Sequence, residues 1–204
     1  MKIKSGKVGS ILTLGFAIAL LSAAAVAQND STSPGSSSAS DSNMRSKNML
    51  STADKKFVQD AAQGGMAEVE LGKLATEKAS SEDVKKFGQR MVDDHRKAND
   101  QLKEVASSEG IQLPSKLSAK DEMTKSRLSK LSGEQFDKAY MADMVKDHKQ
   151  DVADFQREST SGKDPAVKDF ASKTLPTLQD HLQEAQKLAP AGSTNAIQAP
   201  STNH

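Results

Sequence analysis

The sequence predicts an all-α domain, a bundle of four long helices, and three observations carry that prediction. Apolar residues recur at alternating spacings of three and four through four separate segments, the period of one face of an α-helix. Residues that start and stop helices fall between those segments. No stretch alternates apolar and polar residues as a half-buried strand requires. Together the segments run from about Ser51 to Ala189, the length of one ordinary domain.

In the first segment Phe57, Ala61, Gly64, Glu68, Leu71 and Ala75 share a face, with Ser51 and Asp54 as a capping pair. Gly64-Gly65 in its middle costs about 1 kcal/mol per residue relative to Ala, so the pair points to a close helix approach or a kink. The second segment opens at Ser80-Ser81 and carries Val84, Gly88, Met91, His95, Ala98, Leu102 and Val105 on one seam, until Gly110 stops it. A longer connection follows, with Pro114 and a short helix capped by Ser118 and Asp121. The third long helix starts near Ser132, where Gln135 completes a capping box, and runs through Tyr140, Met141, Met144, His148, Val152 and Phe155 to Gly162. The fourth takes Asp164 as cap and Pro165 at its first position, then turns Val167, Ala171, Thr174, Leu178, His181, Ala185 and Leu188 inward. Pro176 should bend it just before His181. Two helical hairpins joined by one long crossover that carries a short extra helix make a ferritin-like four-helix bundle.

The flanks read differently. Lys2, Lys4 and Lys7, the mostly apolar run from Val8 to Leu21, and Ala25-Val26-Ala27 form a secretory signal peptide, residues 1–27. The run is shorter than the roughly 20 residues of a membrane span, so the processed chain is expected to have none. Residues 28–50 are rich in Ser, Asn and Asp and read as a disordered linker, as do residues 190–204 at the other end. The domain proper is 51–189. Removing residues 1–27 takes away three lysines and no acid, which turns 28 basic against 27 acidic side chains into a slight acidic excess. With charges interspersed and 3% aromatic residues, nothing steers the chain to nucleic acid. Cys 0 excludes disulfides and thiol chemistry, and no serine stands in a triad context, so no enzyme is expected.

The chemistry lies in the histidines. His95, His148 and His181 each follow an aspartate and each occupies a seam position on a different helix; the fourth, His204, is terminal. Met91-Val-Asp-Asp-His95 recurs as Met144-Val-Lys-Asp-His148. A ferritin-type di-iron centre needs Glu-x-x-His on two helices, whereas the residues three before the histidines are Val92, Val145 and Leu178. Oxidative ferritin-like chemistry is therefore the weakest expectation. A mononuclear site of His95, His148 and His181 with Glu68 is easier to build, and its donors suit Cu, Zn or Fe. Met91 and Met144 lie one turn before a histidine, while Asp151 and Glu184 lie three residues after one; all four are additional ligands or outer supports. The plainer expectation, which carries somewhat more weight, is a hydrogen-bonded polar layer that fixes helix register without any cofactor. Asp94, Asp147 and Asp180 should flank the seam on the solvated face, because adjacent helix positions point about 100° apart, with support of a histidine on another helix as the weaker alternative.

The segment GGMAEVELGKLA from Gly64 to Ala75, the MVDDH and MVKDH stretches, FDKAY from Phe136 to Tyr140, and LPTLQDHL from Leu175 to Leu182 resemble an exported bacterial family of unknown function. Its members are often labelled outer-membrane proteins. The resemblance covers about Lys55 to Ala189 and implies a ferritin-like helical fold without implying a reaction. The expected product is an exported protein of the periplasm or cell envelope. Its first expected role is an interaction or structural module docking an envelope component or another protein, with transition-metal binding or buffering as the alternative.

Overall fold

The computed structural model describes residues 50–190, so the expected signal peptide, nearly all of the expected linker and the tail beyond Pro190 lie outside the described residues. Five helices follow one another: α1 Thr52–Lys78, α2 Glu82–Ser108, α3 Ala119–Ser129, α4 Gly133–Ser161 and α5 Pro165–Leu188. Among the described residues there is no strand, and no helix is long and apolar enough to cross a membrane.

The ends form for local reasons. Ser51 accepts from Asp54 N–H, Ser118 from Asp121 N–H at 3.1 Å, and Asp164 from Ala166 and Val167 N–H, each satisfying amides that lack intrahelical partners. At the end of α2, Gly110 takes φ 65° and Ile111 N–H closes back on Ala106 O at 2.7 Å, a Schellman turn that buries Ile111. Ser132 differs from expectation. Its side chain makes no capping bond, and α4 instead begins with Gly133 at φ 60°, a left-handed entry that directs the preceding chain away from the box geometry. Pro176 does not interrupt α5, which runs unbroken to Leu188.

α1 packs along α2 and α4 along α5; α2 against α5 and α1 against α4 close the bundle. The crossover runs along α1, where Gln59 and Gln63 side-chain amides donate to the carbonyls of Gln112 and Lys116 and Lys125 pairs with Glu70 at 2.7 Å. Each hairpin turn is held by an aspartate from the other hairpin. Asp54 of α1 accepts from Lys163 and Asp164 N–H in the α4–α5 turn, and Asp137 of α4 accepts from Ser80 and Ser81 N–H in the α1–α2 turn. These contacts set α1 and α4 antiparallel. The crossover therefore spans the bundle from end to end.

Two apolar clusters fill the interior. One gathers Leu71, Phe87, Met91, Phe136, Tyr140, Met144 and Ala185; the other gathers Phe57, Val58, Leu102, Phe155, Phe170 and Leu178. On every long helix the break between them falls at the same level, at Glu68, His95, His148 and His181. A polar layer thus divides the core.

The close helix approach that the glycine pair suggested is made by Gly65, where a Cβ would stand 2.0 Å from Asn99 Oδ1 of α2, and it continues through two further glycines. A Cβ on Gly72 would stand 2.6 Å from the backbone O of Gly88, and one on Gly88 would stand 2.6 Å from Ala75 Cβ, so α1 and α2 touch through these two glycines. A Cβ on Gly64 would meet nothing within 4 Å. Accordingly, Gly72→Ala and Gly88→Ala should each destabilise by about 1–3 kcal/mol through overpacking, whereas Gly64→Ala should be neutral or stabilise by up to about 1 kcal/mol through helix propensity. Urea unfolding of the three variants tests this contrast, and equal losses at all three positions would contradict it.

Candidate metal centre

The four long helices each contribute one polar side chain to the mid-bundle layer: Glu68 from α1, His95 from α2, His148 from α4 and His181 from α5. All are buried, with exposures of 0%, 6%, 0% and 1%. A seam position points its side chain at the bundle axis whatever its chemistry. The helices here place imidazoles where leucines would otherwise pack.

The three histidines converge. One ring nitrogen from each lies within 4.8 Å of the others, and the ring centroids are 5.3–5.8 Å apart. Two of the rings are oriented through their other nitrogen. His148 Nδ1–H donates to Met144 O at 3.1 Å, which leaves the lone pair on Nε2. His181 Nε2–H donates to Asp94 Oδ2 at 2.8 Å, which leaves the lone pair on Nδ1. His148 Nε2, His181 Nδ1 and His95 Nε2 are all buried without a hydrogen-bond partner among the described residues.

With the ring protons of His148 and His181 committed outward, two lone pairs face the centre of the layer, and the Nδ1–H tautomer of His95 supplies a third; a cation can bind all three at once. Protonation is no remedy, because burial and the neighbouring imidazoles hold His95 well below the usual histidine range and burial with His181 takes His148 down to about 4. Burial also lowers His181, although Asp94 opposes the shift. All three rings are therefore neutral at pH 7, the form that ligates metals.

Glu68 does not join the histidines in the way the sequence suggested. Its Oε1 stands 4.0 Å from His148 Nδ1, the nitrogen already committed to Met144, so the ring lies between Glu68 and the free lone pair. Glu68 groups instead with Asp147 and Asp151 of α4, their carboxylate oxygens within 4.8 Å of one another. Burial, with Asp147 and Asp151 adding to it, pushes the Glu68 carboxyl well above its ordinary range, and burial with Asp147 raises Asp151 to about 7.

The other sequence candidates separate by helix. Met91 and Met144 are fully buried in the apolar cluster with Phe87 and Tyr140. Glu184 pairs with Arg90 at 2.6 Å, and Arg90 Nε reaches Asp94 at 3.3 Å, so a chain of charges runs Glu184, Arg90, Asp94, His181. Asp94 takes the weaker of its two expected roles: the α2–α5 contact brings it beneath a histidine of another helix, which fixes that ring's tautomer and orientation. Asp180 stays exposed, 4.0 Å from Arg90. Asp147 was expected to be solvated, and the α1–α4 contact draws it to Glu68. A small cavity of about 30 Å³, room for a water, touches His95 and Asp151 and is bordered by Gly64, Gly65, Phe155 and Leu178.

The profile of DUF4142, a domain of unknown function, matches residues 39–188. The chain belongs to the DUF4142 family. Comparison with curated proteins gives no significant match. Among solved structures, a DUF305 fragment from Deinococcus radiodurans is similar at TM-score 0.61 and 17% identity, over 68% of this chain and 96% of that one. A two-domain protein from Anabaena variabilis, with DJ-1/ThiJ/PfpI-like and ferritin-like domains, is similar at TM-score 0.55 and 20% identity, over 76% of this chain and 45% of that one. At these identities the likeness establishes the ferritin-like helical fold. The di-iron donor set of ferritins does not fit this DUF4142 chain, since Val92, Val145 and Leu178 stand where its carboxylates would be and Glu68, Asp147 and Asp151 cluster with one another rather than with the three histidines.

Asp151 yields a pH test. Its carboxyl titrates near 7 in the fold against an ordinary value of 3.8, so its neutral form contributes stability that is fully present below about 3.8 and lost as pH rises through 7. In chelator-treated protein, the Tm advantage of Asp151→Asn over the wild type should therefore grow from pH 5 to pH 8. An advantage that stays constant across that range would show that Asp151 titrates normally.

Proposed function

We propose that this protein is an exported, non-enzymatic binder of a transition-metal ion, copper or zinc, held by His95, His148 and His181. The observation that carries the reading is the convergence of three buried, neutral imidazoles whose inward nitrogens have no hydrogen-bond partner among the described residues. A polar layer stabilised by hydrogen bonds alone would need donors aimed at those nitrogens. Three nitrogens and no thiolate match the preferences of Cu and Zn rather than of Mg or Ca. Neutral ligands in a buried pocket favour the lower charge of Cu(I), whose desolvation costs less, while Zn(II) would complete a tetrahedron with a water. Export rests on Lys2, Lys4, Lys7 and the Ala25-Val26-Ala27 pattern. An interaction module is the less supported role, because Met123 is the one large apolar side chain left exposed among the described residues.

Titration of the full chain, free of any histidine tag, with Zn(II), Cu(II) and, under reducing conditions, Cu(I) should give one ion per chain and a Tm that rises with metal concentration. Replacing any one of the three histidines by alanine should weaken binding by at least about tenfold, and Asp94→Asn, which loosens His181 without removing a ligand, by about 10–100-fold. Lack of saturable binding at micromolar metal would retire the metal reading. Intact-mass measurement of exported protein is expected to give a chain that begins at Gln28, and a product retaining residues 1–27 would refute cleavage.

A further inference from the structure

Beyond the histidine site, the layer holds a second group of donors with a different chemistry. Asp147 and Asp151 stand one turn apart on the same face of α4 and confront Glu68 of α1, with one oxygen of each within 4.8 Å of the others. Glu68 is 0% exposed and meets no N–H donor; only the Asp147 carboxyl lies within hydrogen-bond reach, and only when one of the two carries a proton. No lysine or arginine forms an ion pair with any of the three among the described residues. The Tyr140 hydroxyl, also fully buried and unpartnered, lies close enough to feel the Glu68 carboxyl. Three carboxylates drawn together by packing, with no basic partner, require a positive charge to be held in their ionised form.

We propose that Glu68, Asp147 and Asp151 form a second, oxygen-ligand site that takes a hard divalent cation of the Mn(II), Mg(II) or Ca(II) kind, separate from the nitrogen site of the three histidines. A cleft of about 80 Å³ beneath α3, bordered by Asp121, Asp143, Thr124, Lys120 and Lys146, ends on Asp147 and gives this side of the layer its own access from the surface. His148 separates the two sites, its Nε2 free on the histidine side and its Nδ1 4.0 Å from Glu68 Oε1. The arrangement departs from a ferritin-type centre, where each metal takes mixed carboxylate and imidazole ligands. Here the three imidazoles and the three carboxylates form two groups, with Asp151 bordering the small cavity that also touches His95, and the donor types of the two groups favour different ions. The inference goes beyond the histidine reading and stands without it.

The test uses the full chain, treated with chelator, loaded with one equivalent of Zn(II), and then titrated with Mn(II) while the electron paramagnetic resonance signal of free Mn(II) is followed. One Mn(II) per chain should bind, and pulsed spectra of the bound ion should lack imidazole nitrogen couplings. Asp147→Asn combined with Asp151→Asn should weaken Mn(II) binding by at least about tenfold and leave the zinc stoichiometry unchanged; His95→Ala should do the reverse. If the double variant fails to fold by circular dichroism, the nitrogen couplings in the wild type decide the matter. Absence of Mn(II) binding, bound Mn(II) with imidazole couplings, or one-for-one displacement of Mn(II) by Zn(II) would each overturn the second site. Should zinc and copper fail to bind while Mn(II) binds through oxygen alone, the histidine proposal falls and this one stands.

Discussion

Three buried imidazoles that converge at mid-bundle, their inward nitrogens without a hydrogen-bond partner among the described residues, set the terms for the rest of this bundle. Each unsatisfied polar atom at such depth costs about 1–3 kcal/mol, and the layer holds several. That cost is carried by the two apolar clusters on either side, which clamp all four helices above and below the histidines. A core continuous through this level would be cheaper to fold. The layer is thus a local destabilisation that the surrounding packing keeps in place.

Orientation of the site is partly a surface matter. His181 presents Nδ1 inward because Asp94 takes Nε2–H, and Asp94 is itself steadied by Arg90, which Glu184 anchors. A charge network on the α2–α5 face thereby selects the tautomer of a core residue. His148 reaches the same state by a different route, through the carbonyl of Met144 one turn back on its own helix. The hairpin clamps at Asp54 and Asp137 then hold the helix pairs in the register that brings these rings to one level.

The ferritin-like architecture and the donor chemistry are separable properties. The DUF4142 chain has the bundle, its long crossover and a polar layer at mid-height, yet groups its buried donors by type, with His95, His148 and His181 in one cluster and Glu68, Asp147 and Asp151 in another. The α1–α4 contact assembles the carboxylates, and α2, α4 and α5 assemble the histidines, so α4 carries donors of both groups and couples them through Asp147, His148 and Asp151.

Much of the architecture was legible in the sequence, because helix periodicity, caps at Ser51, Ser118 and Asp164, and the stop at Gly110 are local properties that a helix displays along its own length. The seam histidines were legible for the same reason: a residue's position on its helix face follows from counting. What the linear order could not convey was the azimuth and height of one helix against another. That decided that Gly72 and Gly88 join Gly65 in the close approach of α1 to α2, that Asp94 supports a histidine on a different helix, and that Glu68 groups with Asp147 and Asp151. The sequence by itself determined which side chains point inward; only the tertiary structure decided which of them meet, since that depends on rotations between helices that no single helix encodes.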